Sequence, residues 1–397
     1  MNIGWIDFSR EQRNKVLSVI HLLSEPEAVD ELGIGIIRDS FSDIFFPGTS
    51  TIQTRAKYFL LTPYLLFELE RTKGMTPDKM INLLHERELD FIEILKQSGE
   101  TGVIGETAGK NLKRKPSDIY WNGIRTYGLF SGFKMSIVDY ARLICKLNDK
   151  KQNIKAQGRM SLKGDEEVDD FDAVAGEHTG GFWKLPDFPA NWRDDLSIKL
   201  TQKEAEFLRK QIIASTSNTI LGFVLENNYS DILQFESFDD VEGMLNLFPE
   251  NLKADYILAK EFADFIYGAQ LRYNVILSKG KSDDVNAEWE LWKSNIEKHV
   301  GIDLQKMVFE RLKIKNGSLI KFLFDCQEAM VRTDFEKLDE LIILRERRLK
   351  GAKRAKLSNV DEFDYKGWVG IGKLQYRLRN GKNLLRDIFE GLGDDHA

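Results

Sequence analysis

Two stretches of this sequence gather side chains able to hold an anion. The first is "FPGTSTIQTR", residues 46–55. Pro47-Gly48 predicts a turn, after which Thr49, Ser50 and Thr51 place hydroxyls and free amides where a helix begins. A helix N-terminus binds phosphate through such amides and its dipole, and Arg55, one turn on, carries the planar fork that pairs with phosphate. With Asp39 or Asp43 as base or metal ligand, the segment would suit an enzyme acting on a phosphorylated or nucleotide substrate. The plainer alternative is that Ser50 or Thr51 caps the helix while Arg55 pairs with Asp39 or Asp43.

The second stretch lies near the carboxyl end. From Arg345 to Arg386 there are 13 Lys and Arg against 4 Asp and Glu, a local charge of +9 in a chain whose net charge is −6. Everything outside the block therefore carries −15. Within "RERRLKGAKRAK" (residues 345–356), Arg345 and Arg348 share a helical face, with Arg347, Lys353 and Arg354 beside them. Arg379, Lys382 and Arg386 align at i, i+3 and i+7 if the last helix is continuous. Tyr365, Trp368 and Tyr376 interleave with these cations. Basic side chains with exposed aromatics supply phosphate contacts and base stacking. The alternative is a solvated or partner-docking charged face, with Trp368 and Tyr376 in the core. A smaller basic cluster sits at Lys110, Lys113, Arg114 and Lys115.

Other chemistries find little support. Gly33-Ile34-Gly35 lies in an apolar helical pattern, without the third glycine or the strand that a dinucleotide fingerprint requires. No Walker lysine follows a glycine loop. His85, Glu86 and Asp90 lack the second histidine of a zinc helix, and the five histidines are scattered. There is no Gly-x-Ser-x-Gly elbow. Cys145 and Cys326, the two cysteines of the chain, exclude a disulfide framework or a cysteine zinc site by count and read as buried hydrophobes. No catalytic residue, metal or cofactor is expected.

The elements that must position these groups are helical. Ser9 with Gln12 forms a capping box before the stripe Val16, Leu17, Ile20, Leu23. A second helix is expected from about Glu27 to Phe45, and a third after Ser50 with Ile52, Tyr58, Phe59 and Leu66 inward. Thr76-Pro77 opens a fourth, and Ser136 with Asp139 one that ends near Leu147. Further helices are expected at roughly 201–215, opened by a capping box of Thr201 with Glu204, and at 216–227, 238–248, 252–278, 283–299 and 303–331. Thr333 with Glu336 opens one to about Lys350, and a last region covers 371–392, broken at the turn dipeptide Asn380-Gly381. No fixed repeat and no strand alternation appears, so the expected fold is all-α or nearly so.

At 397 residues two domains are expected. The seven carboxylates between Asp165 and Glu177, without Lys or Arg among them, mark a charged linker. The reading is an N-terminal helical domain over 1–148, a linker over 149–195 whose "GGFWKLPDFP" docks as extended chain, and a C-terminal helical domain over 196–397. Charged residues interrupt the amino-terminal region where a signal peptide needs an apolar run, and no stretch approaches the ~20 apolar residues that span a bilayer. A cytoplasmic protein without membrane contact is expected.

The strings "GWIDFS", "VDELGIGIIRDSFSDIFFPGTSTIQTRAKYFLLTPY" and "GVIGETAGKNLKRKPSDIYWNGIRTYG", with the closing "LRDIFEGL", resemble an uncharacterised bacterial family of unknown function. The resemblance implies companionship with mobile or phage-defence gene clusters that also encode helicases or nucleases, and it carries over no catalytic residue. The leading expectation is a non-catalytic accessory protein in phage defence that binds nucleic acid, or a helicase or nuclease partner. Arg345, Arg347, Arg348, Lys353, Arg354, Arg379 and Arg386 would lie on phosphates, and Trp368 and Tyr376 on bases. The enzyme built on Thr49, Ser50, Thr51 and Arg55 is the second reading, and a purely structural subunit of a protein complex the third.

Overall fold

A computed structural model describes residues 30–97, 99–132, 134–161, 181–194 and 196–393, with the backbone alone over 151–161. The Ser9–Gln12 capping box with its stripe, and the acidic run Asp165–Glu177, lie outside the described residues. The chain is all-α: the one pairing of extended backbone among the described residues is an isolated bridge between Phe130 and Trp183. In chain order the helices are α1 (Gly35–Phe45), α2 (Tyr58–Glu70), α3 (Pro77–Gln97), α4 (Pro116–Thr126), α5 (Ile137–Ser161), α6 (Gln202–Thr216) and α7 (Ile220–Asn227). They continue as α8 (Glu250–Leu277), α9 (Asp283–Ser294), α10 (Ile296–His299), α11 (Gly317–Val331), α12 (Phe335–Lys350) and α13 (Leu378–Leu392). None of the described helices is long and apolar enough to cross a membrane.

The chain forms two compact units, each discontinuous in sequence. Among the described residues, one takes those of 30–41 and 254–374 and the other those of 42–253 and 375–393. Neither unit is a single run of sequence, so composition along the chain does not mark their limits.

The second unit is built around α2. Every residue from Tyr58 to Phe67 is buried, and a helix apolar on all sides belongs inside. Against it pack α3, whose buried residues include Leu84, Phe91 and Leu95, and α4, whose Tyr120 ring meets Tyr58 and Phe59. The expected third helix begins later than Ser50: residues 50–57 are not helical, and Ile52 is exposed. The capping box at Thr201 and Glu204 is formed, each side chain taking the other's backbone amide. The helix opened by Ser136 runs on to Ser161 rather than ending near Leu147. Beyond it, Trp183 is buried and donates its indole N–H to the Tyr140 hydroxyl at 2.8 Å.

The turn expected at Asn380-Gly381 is absent, and α13 runs through it. Leu378, Gly381, Leu384, Leu385, Ile388 and Phe389 form one buried stripe. Gly381 serves there as a seat, not a break: a Cβ at this position would stand 2.3 Å from the Phe46 ring. Packing against α6 and α7 outweighs the ~1 kcal/mol that glycine costs inside a helix.

In the first unit, α8 from residue 254 onward, α9, α11 and α12 supply the core. Trp289 and Trp292 stack at 5.3 Å, and Trp292 donates to the Asp264 carbonyl. Gly33 does not continue a helix. It takes φ +66° in a turn that ends where Asp30 accepts the amides of Ile34 and Gly35, starting α1. The cap of α12 is Asp334, which accepts the Lys337 amide, while Thr333 sits one residue earlier at φ +52°. The expected helix over 303–331 is interrupted. A short π-helical turn at Lys306–Arg311 precedes a separate α11 capped by Asn316.

Glu88 on α3 is buried at the start of α4, accepting the Ser117 amide at 2.6 Å and its hydroxyl at 2.9 Å. Burial raises its carboxyl from 4.5 to about 8. The folded chain therefore holds this proton where an unfolded one releases it. The stabilising contribution is full below the unfolded value and lost as pH climbs through about 8. Glu88→Gln cannot release a proton, so melting curves of native and variant should diverge as pH rises across that window, the native losing more. Parallel curves across it would refute the assignment.

Candidate functional site

The basic block is divided by the architecture. Arg345 to Trp368 belong to the first unit, and Tyr376, Arg379 and Arg386 to the second. On α12 the inward positions are Leu338, Ile342, Arg345 and Glu346. Arg345 is 4% exposed, so it cannot meet a phosphate in solvent. Its Nε donates to the Leu32 carbonyl at 2.8 Å, Nη1 to Ser318 Oγ at 3.0 Å and Nη2 to the Gly33 carbonyl at 3.3 Å. The guanidinium also lies over the Phe322 ring, 5.3 Å from its centroid. Arg345 is an anchor for the turn at 32–33, correcting its assignment as a surface cation.

Glu346, fully buried, takes the Tyr273 hydroxyl at 2.8 Å and the amides of Lys356 and Leu357. Lys350 and Lys356 both pair with buried Glu31. Further along, Lys366 pairs with Asp364, Lys373 with Asp264 and Arg377 with Asp43. The acids brought in from outside the block, Glu31, Asp264 and Asp43, lower its local charge from +9 to +6.

What faces outward in the first unit is a tighter group. Arg347, Arg348, Lys353 and Arg354 are all exposed, and no acid among the described residues lies within pairing distance of them. Gly351, at φ +77°, ends α12 and turns the chain so that Lys353 and Arg354 follow at once. Cations suit this place, because the last carbonyls of a helix carry its negative end; Arg354 Nε donates to the Lys350 carbonyl at 3.1 Å.

The aromatic residues do not fit base stacking as expected. Tyr376 is wholly buried between Phe45 and Phe238, with ring centroids at 6.0 and 4.8 Å. Trp368 is half-buried and already stacked on Tyr267 at 5.7 Å. In the second unit Arg379 is exposed on α13, and half-buried Arg386 bonds Asn383 at 3.3 Å.

The segment 46–55 is not an open cradle. Thr49 is buried and donates its hydroxyl to the Phe46 carbonyl; the Ser50 amide is taken by Gln53, and Ser50 Oγ is buried without a partner. Residues of α13 and its start hold the Thr49 and Thr51 carbonyls, through Arg377 at 2.9 Å and Asn380 at 3.2 Å. Arg55 pairs with neither Asp39 nor Asp43. Its Nε contacts both oxygens of Asp387 at 2.9 and 3.0 Å, and Nη1 donates to the Thr101 carbonyl. Asp387 also takes the Ala56 amide at 2.6 Å, and its pKa stands above the ordinary value through burial, partly offset by Arg55. The proposed helix N-terminus is missing as well, since α2 starts at Tyr58. The Thr49 hydroxyl and the Arg55 guanidinium, which composition offered to a ligand, are bound within the chain.

Residues 1–154 match DUF6361, a family of unknown function. No curated protein and no solved structure matches the chain. The DUF6361 stretch contains the 46–55 segment and the glycine-rich string to Gly128 and ends inside α5; "LRDIFEGL" lies beyond it. Among the described residues no three of His, Cys, Asp and Glu gather as metal ligands.

Sequence reasoning passed over Lys57, Tyr64 and Glu204 in the second unit. Glu204 reads as a capping residue, and only Lys57, a single charge before a ten-residue run without another, offers a signal.

Asp387 ties α13 to the 46–57 segment. Removing one member of a buried charge pair leaves the other uncompensated and costs about 3–5 kcal/mol. Asp387→Ala should lower unfolding stability on that scale in urea denaturation. The Asp387→Ala/Arg55→Ala pair should cost clearly less than the two single losses added together. Strict additivity would show that the contact carries no coupling.

Proposed function

We propose that the protein is a non-catalytic accessory factor that holds the phosphate backbone of a nucleic acid on the basic end of α12. The reading is supported by one observation above the rest: Arg347, Arg348, Lys353 and Arg354 stand exposed and acid-free within eight residues of sequence. Arginine forks match phosphate oxygens, and lysine adds a point charge. Since the chain as a whole is negative, attraction to a polyanion has to be local. Nothing in this group reads bases: Trp368 is committed to Tyr267 and Tyr376 is core. The binding should therefore be indifferent to base sequence and governed by counterion release.

Fluorescence anisotropy with a labelled DNA duplex across a salt series tests this. Each phosphate neutralised contributes about −0.9 to the slope of log K against log salt, so four contacts give roughly −3.6. The variant R347Q/R348Q/K353Q/R354Q should lose most of the affinity and most of that slope. Binding that is flat in salt, or unchanged in this variant, would overturn the proposal.

A further inference from the structure

The second unit contains an open cavity of about 530 Å³ that the reading above does not use. Its aromatic side is Tyr64, Phe188 and Trp192; its polar side is Lys57 with Thr201 and the first turn of α6 to Glu204, and the exposed Asp187 and Lys203 bring one charge of each sign to it. The volume is that of pockets that take small organic ligands.

The polar side carries an imbalance between donors and acceptors. Glu204 is nearly filled: Oε2 takes Lys57 Nζ at 2.5 Å, the Thr201 amide at 2.9 Å and the Thr201 hydroxyl at 3.1 Å, and Oε1 takes the Tyr64 hydroxyl at 3.2 Å. Lys57 is the opposite case. It is 7% exposed, and Glu204 is its one partner, so two ammonium hydrogens have no acceptor among the described residues. An ammonium taken from water without its full set of acceptors is costly. A ligand oxygen in the cavity would supply what the protein does not.

The aromatic side limits the ligand's shape. Tyr64 stacks on Phe188 at 4.0 Å and meets Trp192 edge-on at 5.3 Å, while Phe188 and Trp192 stand perpendicular at 6.5 Å. Rings this close pack on one another and leave no gap to enclose a cation, so an ammonium ligand does not fit. They offer a surface on which a flat ring can lie. A phosphate dianion would also be poorly matched. The one buried cation already shares its charge with Glu204, and Lys203 at the rim is exposed.

We propose that this cavity is a binding site for a small planar aromatic carboxylate, its ring against Phe188 and Trp192 and its carboxylate on the two spare hydrogens of Lys57. The two oxygens of a carboxylate meet both donors, and a single negative charge adds less repulsion against Glu204 than a dianion would. Phe188 is half-buried on the loop that also brings Trp192, so one part of its ring is open to the cavity.

The test uses the full chain with 2-naphthoate and its uncharged counterpart 2-naphthamide, titrated by calorimetry. 2-Naphthoate should bind saturably at one site, and 2-naphthamide at least about tenfold more weakly, as expected for loss of a charge-assisted hydrogen bond. The paired variant Lys57→Met/Glu204→Gln leaves no orphaned carboxylate and should abolish that preference. Phe188→Ala keeps the ion pair and should weaken both compounds while the preference for the carboxylate survives. Absence of saturable 2-naphthoate binding to the native chain overturns the proposal. So does equal affinity for the two compounds, or a Phe188→Ala variant that binds both as the native chain does.

Discussion

A stretch of backbone without helix or strand must find partners for its amides and carbonyls one at a time, and residues 46–57 are such a stretch. An unpaired buried backbone group costs as much as a lost hydrogen bond, so the segment's conformation depends on who supplies those partners. Two elements do. From α4, the Tyr120 hydroxyl accepts the amides of Thr54 and Arg55 and donates to the Arg55 carbonyl. From the far end of the chain, Arg377, Asn380 and Asp387 take the carbonyls of Thr49, Thr51 and Gln53, the amide of Ala56 and the side chain of Arg55. The buried helix α2 begins directly afterwards, so its starting point is set by the same contacts. α13 is thereby a structural strut as much as a carrier of basic residues.

The first unit solves a similar problem with charge. Arg345 and Glu346 are neighbours on α12, and both point inward because loops lie there with open backbone groups. Arg345 serves the carbonyls of Leu32 and Gly33; Glu346 serves the amides of Lys356 and Leu357. Burying these groups is tolerable because each charge is spent on several hydrogen bonds, with Tyr273, Lys350 and Lys356 completing the set around Glu346 and Glu31. Arg347 falls on the side of the helix away from that pair, Arg348 lies on its flank, and both are exposed. Lys353 and Arg354 join them from just past the helix end.

This arrangement explains how the basic block looked in sequence. Thirteen cations against four acids is a true count, yet three further acids that pair with the block lie elsewhere in the chain: Glu31, Asp43 and Asp264. A one-dimensional charge sum cannot include partners brought in by folding. The same holds for the 46–55 segment, whose hydroxyls and arginine have the right types for an anion cradle. Arg55 is claimed by Asp387, more than three hundred positions away, and the Thr49 hydroxyl by the nearby Phe46 carbonyl. Lys57 was invisible for the converse reason. A lone lysine before an apolar run reads as a helix end, and only the approach of Glu204 and the aromatic loop gives it a cavity.

Local chemistry was sufficient for the all-α class and for most helix starts. The caps at Thr76, Ser136 and Thr201 and the stripes behind them act over a single turn, where near neighbours in sequence are also near in space. Tertiary packing decided where local signals were weak or opposed. Asn380-Gly381 is helical because Phe46 needs the room, and Arg345 is buried because distant carbonyls need a donor. The two units are assembled from separated runs of chain because burying apolar faces rewards proximity in space, and sequence order does not enter that free energy.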